Sequence, residues 1–333
     1  MAEFDLIRRH FAEPAQALLP GSQALLGIGD DCALLQPSPG KAMAVSTDML
    51  VAGRHFFPDV APRTLGHKAL AVNLSDLAAM GARPLGFTLA LALPQADEAW
   101  LSEFSAGLLA LAHAHRCPLV GGDTTRGPLN LCITVFGEVT AGAALRRDAA
   151  LPGDDLWVSG QPGEARLALE GLWQRDWAID SLRGSHGAQL RARLECPEPR
   201  VALGQALAEL GPQANRALAA LDLSDGLAGD LGHILNASGV GATLQQSALP
   251  LSAPLGALPT HHALDCVLHG GDDYELLWCA PPSLREAIHA VAQATGTPAH
   301  RIGQIHRERG LFLLTRAGER RALAARGFDH FST

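Results

Sequence analysis

The sequence predicts an α/β (α+β) chain organised as two domains. Three observations predict it. Apolar runs of β type alternate with stretches of helical apolar spacing, short Asp-containing polar motifs recur where the strand-like runs end, and this alternation occurs twice, changing over near residues 145–153. A chain of 333 residues suits two domains, and 47% apolar with 18% charged residues allows each a core of its own.

The elements read in order as follows. The start, MAEFDLIRRHFAEP, is a short helix whose charges exclude a signal peptide. GIGDDCALL (27–35) leaves two readings open: a strand, in which only one of Asp30 and Asp31 can aim into a site, or a turn built on Gly27 and Gly29. MAVSTDML (43–50) is a strand with a polar end. TLGHKALAVNLSDLAAMGA (64–82) spaces Leu65, Ala69, Val72, Leu77 and Met80 as a helix, and PLGFTLALALP (84–94) is a strand stopped by proline. DEAWLSEFSAGLLALAHAH (97–115) is a long helix, CPLV a short strand leading to GGDTT, and LNLCITVFGEV (129–139) a further strand. In the second half, LPGDDLWVSGQPG (151–163) is a turn and strand opening onto a helix from about Glu164. LAALDLSDGLAGDLGHIL (218–235) is a strand turning into a helix at Gly226, and CVLHGGDDYELLWCA (266–280) and GLFLLTRAG (310–318) read as strands. The domain boundary is placed between 148 and 149.

Composition narrows the partners. The net charge is −8, and only Lys41 and Lys68 among the 26 basic residues are lysines. Neither nucleic acid nor an anionic membrane is an expected partner. No apolar run reaches the ~18 residues of a membrane span. The six cysteines, at 32, 117, 132, 196, 266 and 279, form no C-x-x-C and no zinc-type spacing with histidine, and read as small buried residues of a reduced cytoplasmic protein.

Five polar motifs interrupt the apolar pattern: GDD (29–31), STD (46–48), NLSD (73–76), GGDTT (121–125) and DLSDG (222–226). One Asp at a strand end is ordinarily a cap or turn former; five such motifs strain that reading. Asp76 is the most telling, because it lies mid-helix among apolar neighbours, where Asp has poor propensity and a buried carboxylate needs a partner. The nearest arginine in sequence, Arg83, is seven residues on. A divalent cation is the economical partner, and an all-oxygen donor set suits magnesium. That points to nucleotide chemistry, yet no G-x-x-x-x-G-K-[ST] is present. Phosphates would then be held by metal ions and by glycine-flanked amides such as those of GGD. Arg147 is either an added clamp or a solvated surface charge.

Taken together, GIGDDCALL, STDMLVAGRHF, KALAVNLSDLAAMGA, LVGGDTTRGPL, LDLSDGLAGDLGHI, HGGDDYELL and GFDHF resemble thiamine-monophosphate kinase, in order and spacing from about residue 25 to 331. The resemblance implies ATP- and magnesium-dependent phosphorylation of thiamine phosphate to thiamine diphosphate, the last step in making that compound. It also implies the fold of aminoimidazole ribonucleotide synthetase, with the site between two α/β halves, and a homodimer. Residues 1–148 would bind metal and nucleotide, and 149–333 would complete the nucleotide and substrate site.

Carried over residue by residue, the resemblance implies magnesium ligation by Asp31, Ser46, Thr47, Asp48, Asp76, Asp123, Asp222 and Asp225, with several ions bound. Asp30 is then turned towards the backbone or a turn. ATP contacts fall on Gly122, Asp123, Arg147 and Ser224. Substrate contacts fall on His55, Asp272 and Phe328; unaided, His55 reads as a surface histidine and Phe328 as C-terminal packing. Two departures stand out. Asp272 occupies a place where Glu is usual, and Ser105 one where some members carry a tyrosine near the nucleotide. The acceptor is an anionic phosphate oxygen, so the expected mechanism is direct in-line transfer with no protein nucleophile and no obligatory base. Two alternatives are weighed. The first is another ATP-using member of the superfamily, such as aminoimidazole ribonucleotide synthetase or selenophosphate synthetase; the latter would show a reactive Cys or Sec near the start, and a hydrogenase-maturation relative a cysteine at the end, where this sequence has MAEFDLIRRHF and HFST. A nucleotide-binding protein without turnover would be expected to have lost acidic ligands, and none of the matched metal positions is lost.

Overall fold

The computed structural model describes residues 3–327; Phe328 lies outside them. The chain forms two compact units that divide near residue 141, the second also taking in residues 78–81.

The first unit opens with α1 (Glu3–Ile7), a π-helical turn (Arg8–Ala12) and α2 (Glu13–Ala15), pinned by Phe11 edge-on to Phe104 at 6.5 Å. Two short strands, β1 (Ala24–Leu26) and β2 (Leu34–Leu35), pair antiparallel. They are followed by β3 (Lys41–Val51), α3 (Pro62–Ala79), β4 (Arg83–Leu93), α4 (Glu98–Ala114), β5 (Leu119–Arg126) and β6 (Asn130–Thr140). The last four strands form one sheet in the order β3-β6-β4-β5, with β4 and β5 parallel and the other pairs antiparallel.

Strand alternation decides what each face carries. Leu131, Ile133 and Val135 of β6 and Phe87, Leu89 and Leu91 of β4 are buried, as are Leu65, Leu70, Leu74 and Leu77 of α3. Two glycines let the covering helices touch backbone to backbone: a Cβ on Gly107 would lie 1.9 Å from the Arg63 carbonyl, and one on Gly66 2.1 Å from that of Phe104. The other face is open. Met43, Val45, Met49 and Val51 of β3 are 40%, 58%, 56% and 37% exposed.

The second unit runs β7 (Asp155–Ser159), α5 (Glu164–Leu172), α6 (Ile179–Arg183), α7 (Gly187–Glu195), α8 (Val201–Leu210), β8 (Ala219–Asp222), α9 (Leu227–Ser238), β9 (Gly241–Gln245), α10 (Ala253–Gly256), α11 (Thr260–His269), β10 (Leu276–Ala280), α12 (Arg285–Ala294), β11 (Ala299–His306), β12 (Gly310–Leu314) and β13 (Arg320–Ala322). Among the described residues its strands form a seven-stranded sheet in the order β13-β12-β9-β11-β7-β10-β8. Strands β7 and β10, and the edge strand β8 beside them, are buried along their whole length, and Trp157 and Trp278 stack at 6.1 Å where β7 and β10 pair.

Four sequence expectations need correction. Residues 266–280 are not one strand: the stretch begins inside α11, breaks at Gly270–Glu275 and becomes a strand only at Leu276. The buried residues Ala263, Cys266, Val267 and Leu268 fit a helix face, which a short apolar run does not distinguish from a strand. The strand expected over 310–318 ends at Leu314, in a turn closed by Gly318 N–H to Thr315 O at 2.9 Å. GGDTT lies within β5 rather than after it. Of the cysteines, 117, 266 and 279 are buried, but Cys32 is exposed and 132 and 196 are half-buried. No helix among the described residues is long and apolar enough to cross a membrane.

Candidate active site

In the first unit the acidic motifs are distributed by alternation. The even residues of β3 face α3: Ser46 Oγ donates to Asp76 Oδ2 at 2.5 Å, and the Asp48 N–H donates to Asn73 Oδ1 at 3.2 Å. Asn73 is fixed in turn by its amide, which donates to the Ala69 carbonyl at 3.0 Å. Asn73 and Asp76 are three residues apart on one helix and so share a face. Burial, and after it the Asp76 carboxylate, push the Asp48 carboxyl up to about 6. Arg83, the arginine nearest in sequence to Asp76, is engaged by Glu138 at 2.7 Å.

Thr47, between these two residues, points to the open face, where its hydroxyl meets that of Thr134 at 2.9 Å. Asp123 lies on that same face, in the row Met49–Cys132–Ala90–Asp123, and is exposed. Gly122, at φ 149°, crosses β4 so closely that a Cβ would sit 2.0 Å from the Leu89 carbonyl. Asp31 is exposed in a turn, and its own N–H donates to Asp30 Oδ1 at 2.8 Å, so GIGDD is a turn in which Asp30 serves the backbone. His55 closes the turn after β3: its Nδ1 accepts from the Val51 N–H at 3.0 Å, which places the ring proton on Nε2. The unit thus gathers Ser46, Asp48 and Asp76, and holds Thr47 and Asp123 on the other side of the sheet. Among the described residues no three His, Cys, Asp or Glu side chains form a group that could hold a metal ion.

In the second unit the DLSDG corner joins β8 to α9. Asp222 ends β8 and is 6% exposed, while Ser224 and Asp225 are half-buried. Asp230, one turn into α9, was not legible as functional: its Oδ2 accepts from the N–H groups of both Asp225 and Gly226 at 3.0 Å each. Burial raises its carboxyl to about 7, against those two hydrogen bonds and the nearby charge of Arg147. Arg147 is therefore in electrostatic reach of this corner, with its carbonyl accepting from Ser238 Oγ at 2.9 Å. The GGDDYEL loop runs beside the corner. There the Asp272 N–H donates to the Ser224 carbonyl at 2.9 Å. Its neighbour Asp273 turns inward, accepting from the Gly163 N–H at the start of α5 at 2.7 Å. Ser105, by contrast, is buried in α4 with its hydroxyl donating to the Ser102 carbonyl at 3.2 Å.

The family models of AIR synthase related protein match the chain twice, the N-terminal domain over residues 29–139 and the C-terminal domain over 152–315. Thiamine-monophosphate kinase of Escherichia coli K12 is 44% identical over 332 residues, covering 99% of this chain and 98% of that protein. The chain belongs to the thiamine-monophosphate kinase family. The crystal structure of the Stenotrophomonas maltophilia K279a thiamine-monophosphate kinase superposes with a TM-score of 0.82 at 46% identity, covering 94% of this chain and 96% of that one. AaThiL complexed with AMPPCP and TMP superposes with a TM-score of 0.74 at 26% identity, covering 89% of each chain. The family's two-domain α/β fold is the fold of this chain, and family membership makes it a phosphotransferase.

Proposed function

We propose that this protein transfers the γ-phosphoryl group of ATP to thiamine monophosphate, giving thiamine diphosphate and ADP. Membership of the family supports the reaction, and the Asp48–Asp76 pair is the structural observation that carries it. Two carboxylates on adjoining elements, one raised by burial and by the other, form an arrangement that a cation stabilises. Ser46 Oγ and Asn73 Oδ1 add oxygens beside them, which fits magnesium. Asp48, Asp76 and Ser46, with Asp31, Thr47, Asp123, Asp222 and Asp225, would hold the ions. When bound, magnesium neutralises charge on the transferring phosphates and aligns them.

The chain's own groups do the rest. Arg147, with Ser224 and the backbone at Gly122 and Asp123, binds ATP phosphates; an arginine suits this by its fork of donors. His55 offers its Nε2–H to the substrate, and Asp272 places a carboxylate for the thiazolium cation; by family resemblance Phe328, outside the described residues, is the expected aromatic contact of that ring. The acceptor oxygen is already anionic, so positioning replaces base catalysis and no phosphoenzyme forms. The first domain supplies most metal and nucleotide contacts, and the second completes the site. The reaction runs in the cytoplasm, where cysteines outside any disulfide stay reduced. The deciding measurement is ADP release with and without thiamine monophosphate, alongside assay of thiamine diphosphate. Release that requires the acceptor and matches product is expected; release with ATP alone, or none, overturns the reading.

A homodimer belongs to the same proposal. Met43, Val45, Met49 and Val51 leave an apolar stripe on the open face, next to Cys132 and Phe136 of β6. Contiguous exposed apolar surface on a soluble chain marks an association site, and a second copy presenting the same stripe would cover it isologously. Val45→Glu is expected to turn a dimer into a monomer by light scattering. A dimeric variant, or a monomeric parent, would sink this assignment.

A further inference from the structure

The loop Gly270–Glu275 carries two non-glycine residues in left-handed backbone, Asp272 at φ 67° and Tyr274 at φ 52°. Such a pair persists only where its surroundings over-determine it. Three backbone hydrogen bonds zip the loop to the DLSDG corner: Leu223 N–H to Glu275 O at 2.8 Å, Tyr274 N–H to Leu223 O at 2.8 Å and Asp272 N–H to Ser224 O at 2.9 Å. Gly271 is needed for the approach, since a Cβ there would lie 2.3 Å from the Ser224 carbonyl. Below the loop, the fully buried Glu275 is gripped by Arg200 through two hydrogen bonds, at 2.8 and 2.7 Å, and by Arg193 and Ser159 at 2.5 Å each. Burial alone would raise its carboxyl, but the two arginines outweigh that and hold it below the usual range. Residues 272 and 274 are thereby set side by side, and the Tyr274 hydroxyl donates to Asp272 Oδ1 at 3.1 Å.

We propose that Tyr274 is a positioning residue: its phenol fixes the direction of the Asp272 carboxylate, and so governs affinity for the cationic substrate without touching it. The proposal rests on the reading of Asp272 as a substrate contact. A bond that only stapled the loop would leave substrate affinity unmoved once the fold was intact. KM for thiamine monophosphate and for ATP is to be measured for the parent, Tyr274→Phe, Asp272→Ala and the double variant. Tyr274→Phe is expected to raise KM for thiamine monophosphate about fivefold, as loss of one typical hydrogen bond does, with KM for ATP changed less than about twofold. In the Asp272→Ala background the same change is expected to add nothing, because the two residues act as one unit. Additive effects, or equal rises in both KM values, overturn the proposal while sparing the role of Asp272. No effect of Asp272→Ala overturns that role and the proposal with it. A second measurement needs no substitution at Tyr274. It is the chain's single tyrosine, so 3-fluorotyrosine gives one fluorine resonance, which is expected to shift on adding thiamine monophosphate without ATP. A resonance that stays put in the parent protein also overturns the proposal.

Discussion

Asp76→Asn is expected to lower kcat by about two to three orders of magnitude, the usual loss when a group that stabilises transition-state charge is removed, while the protein stays folded. Three features separate function from stability here. Asp76 stands inside α3, where Asn is no worse a helix former than Asp. Its contact with Ser46 survives, because an Asn carbonyl accepts from the hydroxyl as the carboxylate does. The substitution also removes a like charge from beside Asp48, so the Asp48 carboxyl falls from its raised value of about 6, although burial, the larger cause, remains. The variant should therefore melt at or above the parent's temperature, and its residual activity should need more magnesium. Near-parental turnover at low magnesium would show that Asp76 serves only the fold.

Much of this was legible from residue types and periods. The helix around Asp76, the strand carrying Ser46 and Asp48, and the strand-to-helix change at Gly226 all follow from local pattern, because a 3.6 or 2.0 period is imposed by one buried face. What was not legible has physical reasons. The helix over 260–269 hid in a short apolar run that suits either period. The opposite facing of Asp48 and Asp123 depends on the register of three pairings across four strands, which no local pattern encodes. Asn73 had a signal, its spacing of three from Asp76 on one helix, whereas Asp230 looked like any polar residue of an amphipathic helix. Its role arises only because Gly226, at φ 114°, turns two amides back onto it.

Asp48 and Asp230 each contribute a part of the metal-free protein's stability that falls as pH rises from about 4 towards 6 and 7, and two substitutions should each abolish one of those parts. Asp48 and Asp230 both have carboxyls raised in the folded state, from 3.8 to about 6 and about 7. A raised carboxyl favours folding only while protonated, so its contribution is complete below the unfolded value of 3.8 and is lost as pH climbs through the folded value. For Asp48 the span corresponds to roughly 1–3 kcal/mol, the upper figure being the full shift at ~1.4 kcal/mol per unit. Asp48→Asn should match the parent at pH 4 and exceed it by that amount at pH 8, the gain levelling off above about 6. Asp230→Asn should gain over a window ending near 7, since the Asn carbonyl still accepts from the Asp225 and Gly226 amides. Urea unfolding in a chelator, repeated at each pH, reads the difference directly. Adding magnesium at pH 8 should stabilise the parent more than Asp48→Asn, because the cation takes over the charge that the proton neutralised at low pH. A gain of equal size at pH 4 and pH 8 would mean that packing, and not the buried charge, separates the variants from the parent.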